Sequence, residues 1–422
     1  MQIYTPPSES ELHRVAKVGS SLRYCVTVPI SKRIQDICFL LAALGLLLAG
    51  INCPAQIDPT DRHLLEVGYD QALAGHGPQA IYAYYYFNSP EFFGPDVALR
   101  LAVAPAYLDS EIGFKHLLSP NTDVGIGVSG GIYGDNYYEV RQGNFLESQS
   151  FYGDGGGGSL AVYQLLDPGM RIPLNLVARG GFHYSTFFHT AETSSDFKLP
   201  EDQVDAFTLF GLRFAGIQPT LYPDLALELS AWFERQWHFD NDTYGFDNDR
   251  SITPYTDLYW FYANLDYKLK QSGDRFSFAT TVGGSTDADR FSAWRLGGVL
   301  PLISEFPLVL PGYYYEELTV TRFVHFYGSY SVPLDQLHRW EFRLEAATAR
   351  LDYLPGFEQR GDWQTGAGCA ISLTPREKNF QIVLRYGYGF NAIRHDKEGA
   401  QSVGILFQYD FNARKKAHQR LP

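Results

Sequence analysis

Two short stretches carry residue types that could act as a nucleophile. Residues 127–131 read Gly-Val-Ser-Gly-Gly, a formal match to the G-x-S-x-G spacing. A nucleophile elbow sets its serine on a sharp strand-to-helix turn. Here Val124, Ile126, Val128 and Ile132 alternate with Gly125, Gly127, Ser129 and Gly131, which is the period of a strand with one small-residue face. Ser129 is therefore expected to pack, not to react. His183 and Ser185 share one face of a second alternating run, with His189 just beyond. A catalytic serine needs a base within hydrogen-bond reach and a third group to orient that base. Residues two apart on one strand face stand about 6–7 Å apart, which is long for direct contact. A polar interior lining is the expected role, and a barrel-borne phospholipase is a second alternative.

Two further stretches suggest ligand loops. In 240–250, Asp-Asn-Asp-Thr-Tyr-Gly-Phe-Asp-Asn-Asp-Arg, Asp240, Asp242 and Gly245 hold calcium-loop positions 1, 3 and 6. Tyr244 and Ser251 occupy the ligand positions 5 and 12, so the set fails twice. Asp247 and Asp249 only add charge. Residues 153–158, Gly-Asp-Gly-Gly-Gly-Gly, lack the Lys-Ser/Thr of a phosphate loop and read as a flexible connection. No catalytic residue, cofactor or metal site is expected.

The elements around these stretches are strands. From residue 79 onward, period-two alternation dominates. In 173–188, Leu174, Leu176, Ala178, Phe182, Tyr184 and Phe188 oppose Asn175, Arg179, His183 and Ser185. The split recurs in 224–238, 257–270 and 338–350. Its polar side carries Glu228, Glu234, Asp266, Lys268, Glu341, Arg343 and Glu345, with Arg385 on a later strand. A sandwich also alternates. These runs, however, are often 11–16 residues long, against about 5–6 for soluble strands. Aromatics crowd their ends, and short turns alternate with long loops. Fourteen strands are expected between 79 and 411, 97–117 being one, with short periplasmic turns and longer outer loops such as 89–96 and with 12 to 16 strands compatible, forming an all-β transmembrane antiparallel barrel. An open sheet would leave backbone groups unpaired in lipid. The charged residues named above would line the lumen.

Composition agrees. The 422 residues include 40 Gly, 23 Pro, 29 Tyr and 30 Phe but only 2 Met. Mean hydropathy is −0.19, too low for a bundle of membrane helices. The one helical apolar run, 38–51, follows Lys32 and Arg33 and precedes Cys-Pro-Ala-Gln. Residues 1–56 thus read as a signal peptide with an over-long n-region. Residues 57–78 read as a short periplasmic segment, 79–411 as the barrel, and 412–422 as a basic periplasmic tail. Removing 1–56 leaves 29 basic against 44 acidic residues, net −15, which excludes nucleic acid as a partner. It also leaves Cys369 as the only cysteine, so no disulfide framework is expected.

Residues 291–334, Phe-Ser-Ala-Trp-Arg-Leu-Gly-Gly-Val-Leu-Pro-Leu through Ser-Val-Pro-Leu, resemble the barrel of the bacterial surface-antigen superfamily. That group includes the BamA/TamA assembly factors and two-partner secretion translocators. The matching residues are Leu296, Gly297, Gly298, Gly312, Tyr313, Glu317, Leu318, Val332, Pro333 and Leu334. The last strand matches a terminal assembly signal through Ser402, Gly404, Phe407 and Tyr409, with Phe411 on the same face as the aromatics. The resemblance implies outer-membrane assembly or translocation of protein or lipid in a Gram-negative (diderm) bacterium. The partners it implies are outer-membrane lipids, the barrel assembly machinery and a periplasmic protein. Two departures stand out. The family's lumenal arginine is replaced by Pro311, although an acidic candidate partner, Asp352, is present. And the 22 residues of 57–78 are too few for a periplasmic POTRA module. A passive diffusion porin is the first alternative. Planar-bilayer conductance separates the two, and a loop 287–312 folded into the lumen would support the resemblance.

Overall fold

The computed structural model describes residues 61–413 except 79, 168–173, 216–224, 241 and 299–306. The signal-peptide reading and most of the basic tail lie outside the described residues.

Sixteen long strands follow one another. They are Arg62–Ala72 (β1), Ala80–Ser89 (β2), Val97–Val103 (β3), Tyr107–Ser119 (β4), Thr122–Gly131 (β5), Phe151–Leu165 (β6), Leu174–His189 (β7) and Gln203–Ala215 (β8). Then come Leu225–His238 (β9), Tyr255–Lys268 (β10), Arg275–Thr286 (β11), Leu318–Pro333 (β12), Trp340–Tyr353 (β13), Trp363–Leu373 (β14), Phe380–Arg394 (β15) and Lys397–Asp410 (β16). Each pairs antiparallel with the next, and β16 pairs with β1 over Asp410–Ser402 against Leu64–Ala72. The barrel is therefore closed and has no free end strand. Its strand number falls within the expected range.

Alternation sorts the side chains. The outer face exposes Ile126, Val128, Leu160, Phe182, Phe210, Leu344, Leu384 and Ile405, at 43–60% of their surface. A belt of this kind around a closed barrel is the surface of a membrane-spanning protein. Arg179, Glu111, Arg213, Glu228, Glu345 and Arg385 face inward and pair there. Among the described residues no helix is long and apolar enough to span a bilayer.

Three expectations are corrected. The barrel begins at Arg62, so most of the presumed periplasmic segment 57–78 is β1 and the connection after it. The single strand expected over 97–117 is two, β3 and β4, turning at Ala104–Ala106. Adding one strand and splitting another moves the 90–96 connection to the end where β1 starts. It leaves every later turn and loop on its expected end. Finally, Gly153–Gly158 is not a loop but part of β6. Its glycines answer close neighbours. A Cβ on Gly157 would sit 2.1 Å from the Phe182 carbonyl oxygen, and one on Gly155 would meet the Asp135 carboxylate.

Candidate functional site: a loop clasped inside the barrel

The chain leaves β11 and forms a three-residue strand, Trp294–Leu296, paired with Val320–Leu318 at the start of β12. Gly297 and Gly298 then take φ of 138° and 87°, which glycine adopts without strain. The chain returns at Pro307 and pairs with these same glycines. Gly297 N–H donates to the Leu308 carbonyl at 3.1 Å, and Leu310 N–H to that of Gly298 at 3.0 Å. The return arm at Leu308 and Leu310 is thus closed against the Gly297-Gly298 pair.

From there the loop crosses to the far wall. Gly312 N–H donates to Ser402 Oγ on β16 at 3.1 Å, and Tyr313 Oη to Gln364 Oε1 on β14 at 2.8 Å. Burial raises the Tyr313 phenol far above its ordinary range, and Glu317 and Tyr353 add to this. The Val309 carbonyl meets His325 Nε2 on β12 at 2.9 Å. Leu296, Leu310, Tyr313 and Leu318 are almost fully buried against Phe323, Ala347, Ala349, Leu351, Ala392 and Ala400. This apolar contact favours docking of the loop's two ends, since about 25 cal/mol is gained per Å² of apolar surface removed from water.

The approach needs a socket without side chains. A Cβ on Gly366 would fall 2.2 Å from the Pro311 carbonyl oxygen, and one on Gly312 would fall 1.8 Å from Gly389 N. Gly366, Gly387 and Gly389 of β14 and β15 therefore form a flat seat for Pro311 and Gly312.

One buried ion pair fastens the loop. Arg394 Nη1 donates to Glu317 Oε1 at 2.9 Å, and Arg394 Nη2 to Glu317 Oε2 at 2.8 Å. The side chains are only 3% and 0% exposed. Glu317 Oε2 also accepts the Tyr314 N–H at 2.8 Å. The Arg394 guanidinium lies 3.5 Å from the centre of the Tyr314 ring. Such bidentate pairing needs arginine's planar fork. Asp352, the acidic partner suggested by sequence, is exposed and lies on the outward register of β13. It is not the partner.

The fold is that of the CdiB barrel. CdiB from Acinetobacter baumannii superposes with a TM-score of 0.56 at 10% identity, over 83% of this chain and 60% of that one. CdiB from Escherichia coli gives 0.52 at 13% identity, over 87% and 69%. A BamA from Haemophilus ducreyi lacking POTRA domains 1–3 gives 0.49 at 11%, over 82% and 71%. This chain thus spans about 60% of the A. baumannii protein. No family model matches the chain, and no curated protein matches it in sequence.

In this CdiB-type barrel the expected lumen residues face inward and most find partners. Arg179 donates to Glu111 at 2.7 Å and to Tyr163 at 2.9 Å. Glu228 accepts from Arg213 at 3.0 Å, Glu234 from Gln236 at 2.7 Å and Asp266 from Asn264 at 3.1 Å. Glu345 accepts from Tyr327 at 2.9 Å and lies 3.7 Å from Arg385. Arg343 donates to Ser331 at 3.1 Å. Lys268 and Glu341 share these inward registers. The loop fills the β12–β16 side. The opposite side keeps a polar cavity of about 160 Å³ lined by Arg100, Asp109, Glu111, Ser129, Arg179 and His183.

His183 and Ser185 do not contact as base and nucleophile. Ser185 Oγ donates to Asp135 Oδ2 at 2.6 Å, and His183 Nε2 meets the same oxygen at 2.7 Å. Burial pushes the Asp135 carboxyl up, but those two hydrogen bonds and the His183 charge hold it below its ordinary value. His189 meets the Phe197 carbonyl instead. In the 240–250 loop, Lys198 Nζ donates to the Thr243 carbonyl and lies 3.8 Å from Asp242. Gly404, Phe407 and Tyr409 lie on β16, with Gly404 inward and the two aromatics outward, and Phe411 follows the strand. There Tyr409 and Phe411 ring centres are 4.7 Å apart.

Proposed function

We propose that this chain is a plugged outer-membrane barrel that assembles or translocates protein or lipid and does no covalent chemistry of its own. The docked loop carries the reading. A bracketed segment held by a buried ion pair blocks one side of the lumen, which a free-running diffusion pore has no use for. The surface-antigen resemblance of 291–334 and the CdiB-type fold support the same reading. It takes outer-membrane lipids, the barrel assembly machinery and a periplasmic protein as partners. In this reading the end where β1 starts faces the periplasm, and the polar cavity beside the plug is the hydrated remainder of the path.

The diffusion-porin reading draws on that cavity. Planar-bilayer conductance of the purified chain separates the two. The proposal expects a closed baseline with rare openings, and a steady open conductance would sink it.

A further inference from the structure

The wall has a gap that the register makes visible. β2 pairs with β1 over nine residues, Ala80–Asn88, but with β3 over only five, Tyr85–Ser89. The cause is the short β3–β4 hairpin, which turns at Ala104–Ala106 with Ala104 N–H bonded to the Tyr107 carbonyl. On the other side of the gap the wall continues. The chain beyond β5 still pairs with β6, through Asp135 N–H to the Gly153 carbonyl and a bridge between Tyr137 and Phe151. Among the described residues, no backbone partner faces Ala80–Tyr84 on the β3 side. The opening is about 10 Å wide, the space of two strands, and about 16 Å tall.

Its depth matters. Ile81 pairs across to Tyr69, Tyr69 to Ile405, and Ile405 to Leu384. Ile405 and Leu384 belong to the apolar outer belt, and Ile81 is 72% exposed. With strands tilted by about 35–45°, each such step rises about 3 Å towards the loop end, so Ile81 stands about 9 Å above Leu384 and still within an apolar band about 25 Å tall, where each unsatisfied N–H or C=O costs several kcal/mol.

We infer that Ala80–Tyr84 is a docking edge for an extended polypeptide segment, which adds as an antiparallel strand running from the β1-start end towards the loop end. Acyl chains neither donate nor accept hydrogen bonds, so lipid cannot satisfy the edge. A second copy of this chain also fails. A two-fold axis along the membrane normal would set β2 beside another β2 running the same way. Strand tilts of about 35–45° would then cross rather than pair. A separate extended chain supplies the missing ladder, by strand addition. The inference rests on the register and not on the translocation reading.

The test uses the full chain in phosphatidylcholine vesicles, with a photo-crosslinking residue at Ile81 or, as control, at Ile405, which is paired on both sides. The probe is a synthetic strand peptide of alternating Val and Thr. A matched peptide is N-methylated on one hydrogen-bonding edge. Saturable labelling is expected at Ile81, weaker by about tenfold or more at Ile405 and with the edge-methylated peptide, since each lost bond is worth about a factor of several. Equal labelling by both peptides would reduce the contact to apolar adhesion and overturn the inference. So would labelling of lipid alone at Ile81. Conductance in the same vesicles reports on the plug separately, so the two readings fail independently.

Discussion

Replacing Arg394 with Met tests whether the clasp holds the loop. Arg394 and Glu317 are 3% and 0% exposed and share two hydrogen bonds of 2.9 and 2.8 Å. Removing one partner of such a pair strands the other charge, at a cost of about 3–5 kcal/mol. That shifts the ratio of docked to released loop by roughly 100- to 4,000-fold. Arg394→Met leaves Glu317 with only the Tyr314 N–H. The double variant Arg394→Met, Glu317→Gln removes both charges, so it should recover much of the loss. Arg394→Lys should fall between, because lysine keeps the charge but loses the fork and the stacking on Tyr314. Two readouts follow the loop: protease cleavage within 307–317 on folded protein, and single-channel openings in planar bilayers. Arg394→Met should be cleaved faster and open more often than the double variant. A wild-type pattern for Arg394→Met would show that apolar packing alone holds the loop. A double variant as bad as the single one would refute the stranded-charge argument.

Three further outcomes follow. Gly312→Ala should release the loop as Arg394→Met does, since φ is 88° and the new Cβ would fall 1.8 Å from Gly389 N; the same two readouts check it. Asp135 has a depressed folded pKa, so its contribution is present above its ordinary value of 3.8 and is lost as pH falls through the lower folded value. Thermal melts taken into strong acid should show that loss in the wild type and not in Asp135→Asn. Ser185→Ala should leave phospholipid hydrolysis at the wild-type level, because Ser185 donates to a carboxylate and not to an imidazole; a fall on substitution would restore the hydrolase reading.

Much of the barrel was legible because a lipid belt and a wet lumen impose strict alternation on long strands. The failures occur where alternation slips or is weak. In β3 the outward residues are odd, Leu99, Leu101 and Val103, whereas in β4 they are even, Leu108, Ile112 and Phe114. A regular strand without a bulge cannot change phase, so the slip across Ala104-Pro105-Ala106 was the available sign of a turn. In β1 the inward set includes Leu64 and the outward set begins and ends with His63 and Gln71, which blurs the two faces. The glycines of β6 looked like a loop because glycine usually weakens a strand. Here they let neighbouring backbone and side chains come close.

Arg394 escaped for the same kind of reason. Leu384, Tyr386 and Phe390 set the even positions of β15 on the outer face, which would put residue 394 in lipid. The register is broken between Gly389 and Ile393, alternation ends there, and Ala392, Ile393 and Arg394 are all buried. The surface-antigen pattern expects the cation on the loop and the anion on the wall. This chain carries them the other way round, with Glu317 on the loop and Arg394 on the wall. The attraction between two charges does not depend on which segment bears which. Pro311 can therefore stand where the arginine was expected. It has no N–H to satisfy, and its carbonyl lies against the Gly366 seat. What persists is the docked loop with its glycine brackets, and the inverted pair forms at the irregular end of β15, where strict alternation no longer assigns Arg394 to the lipid face.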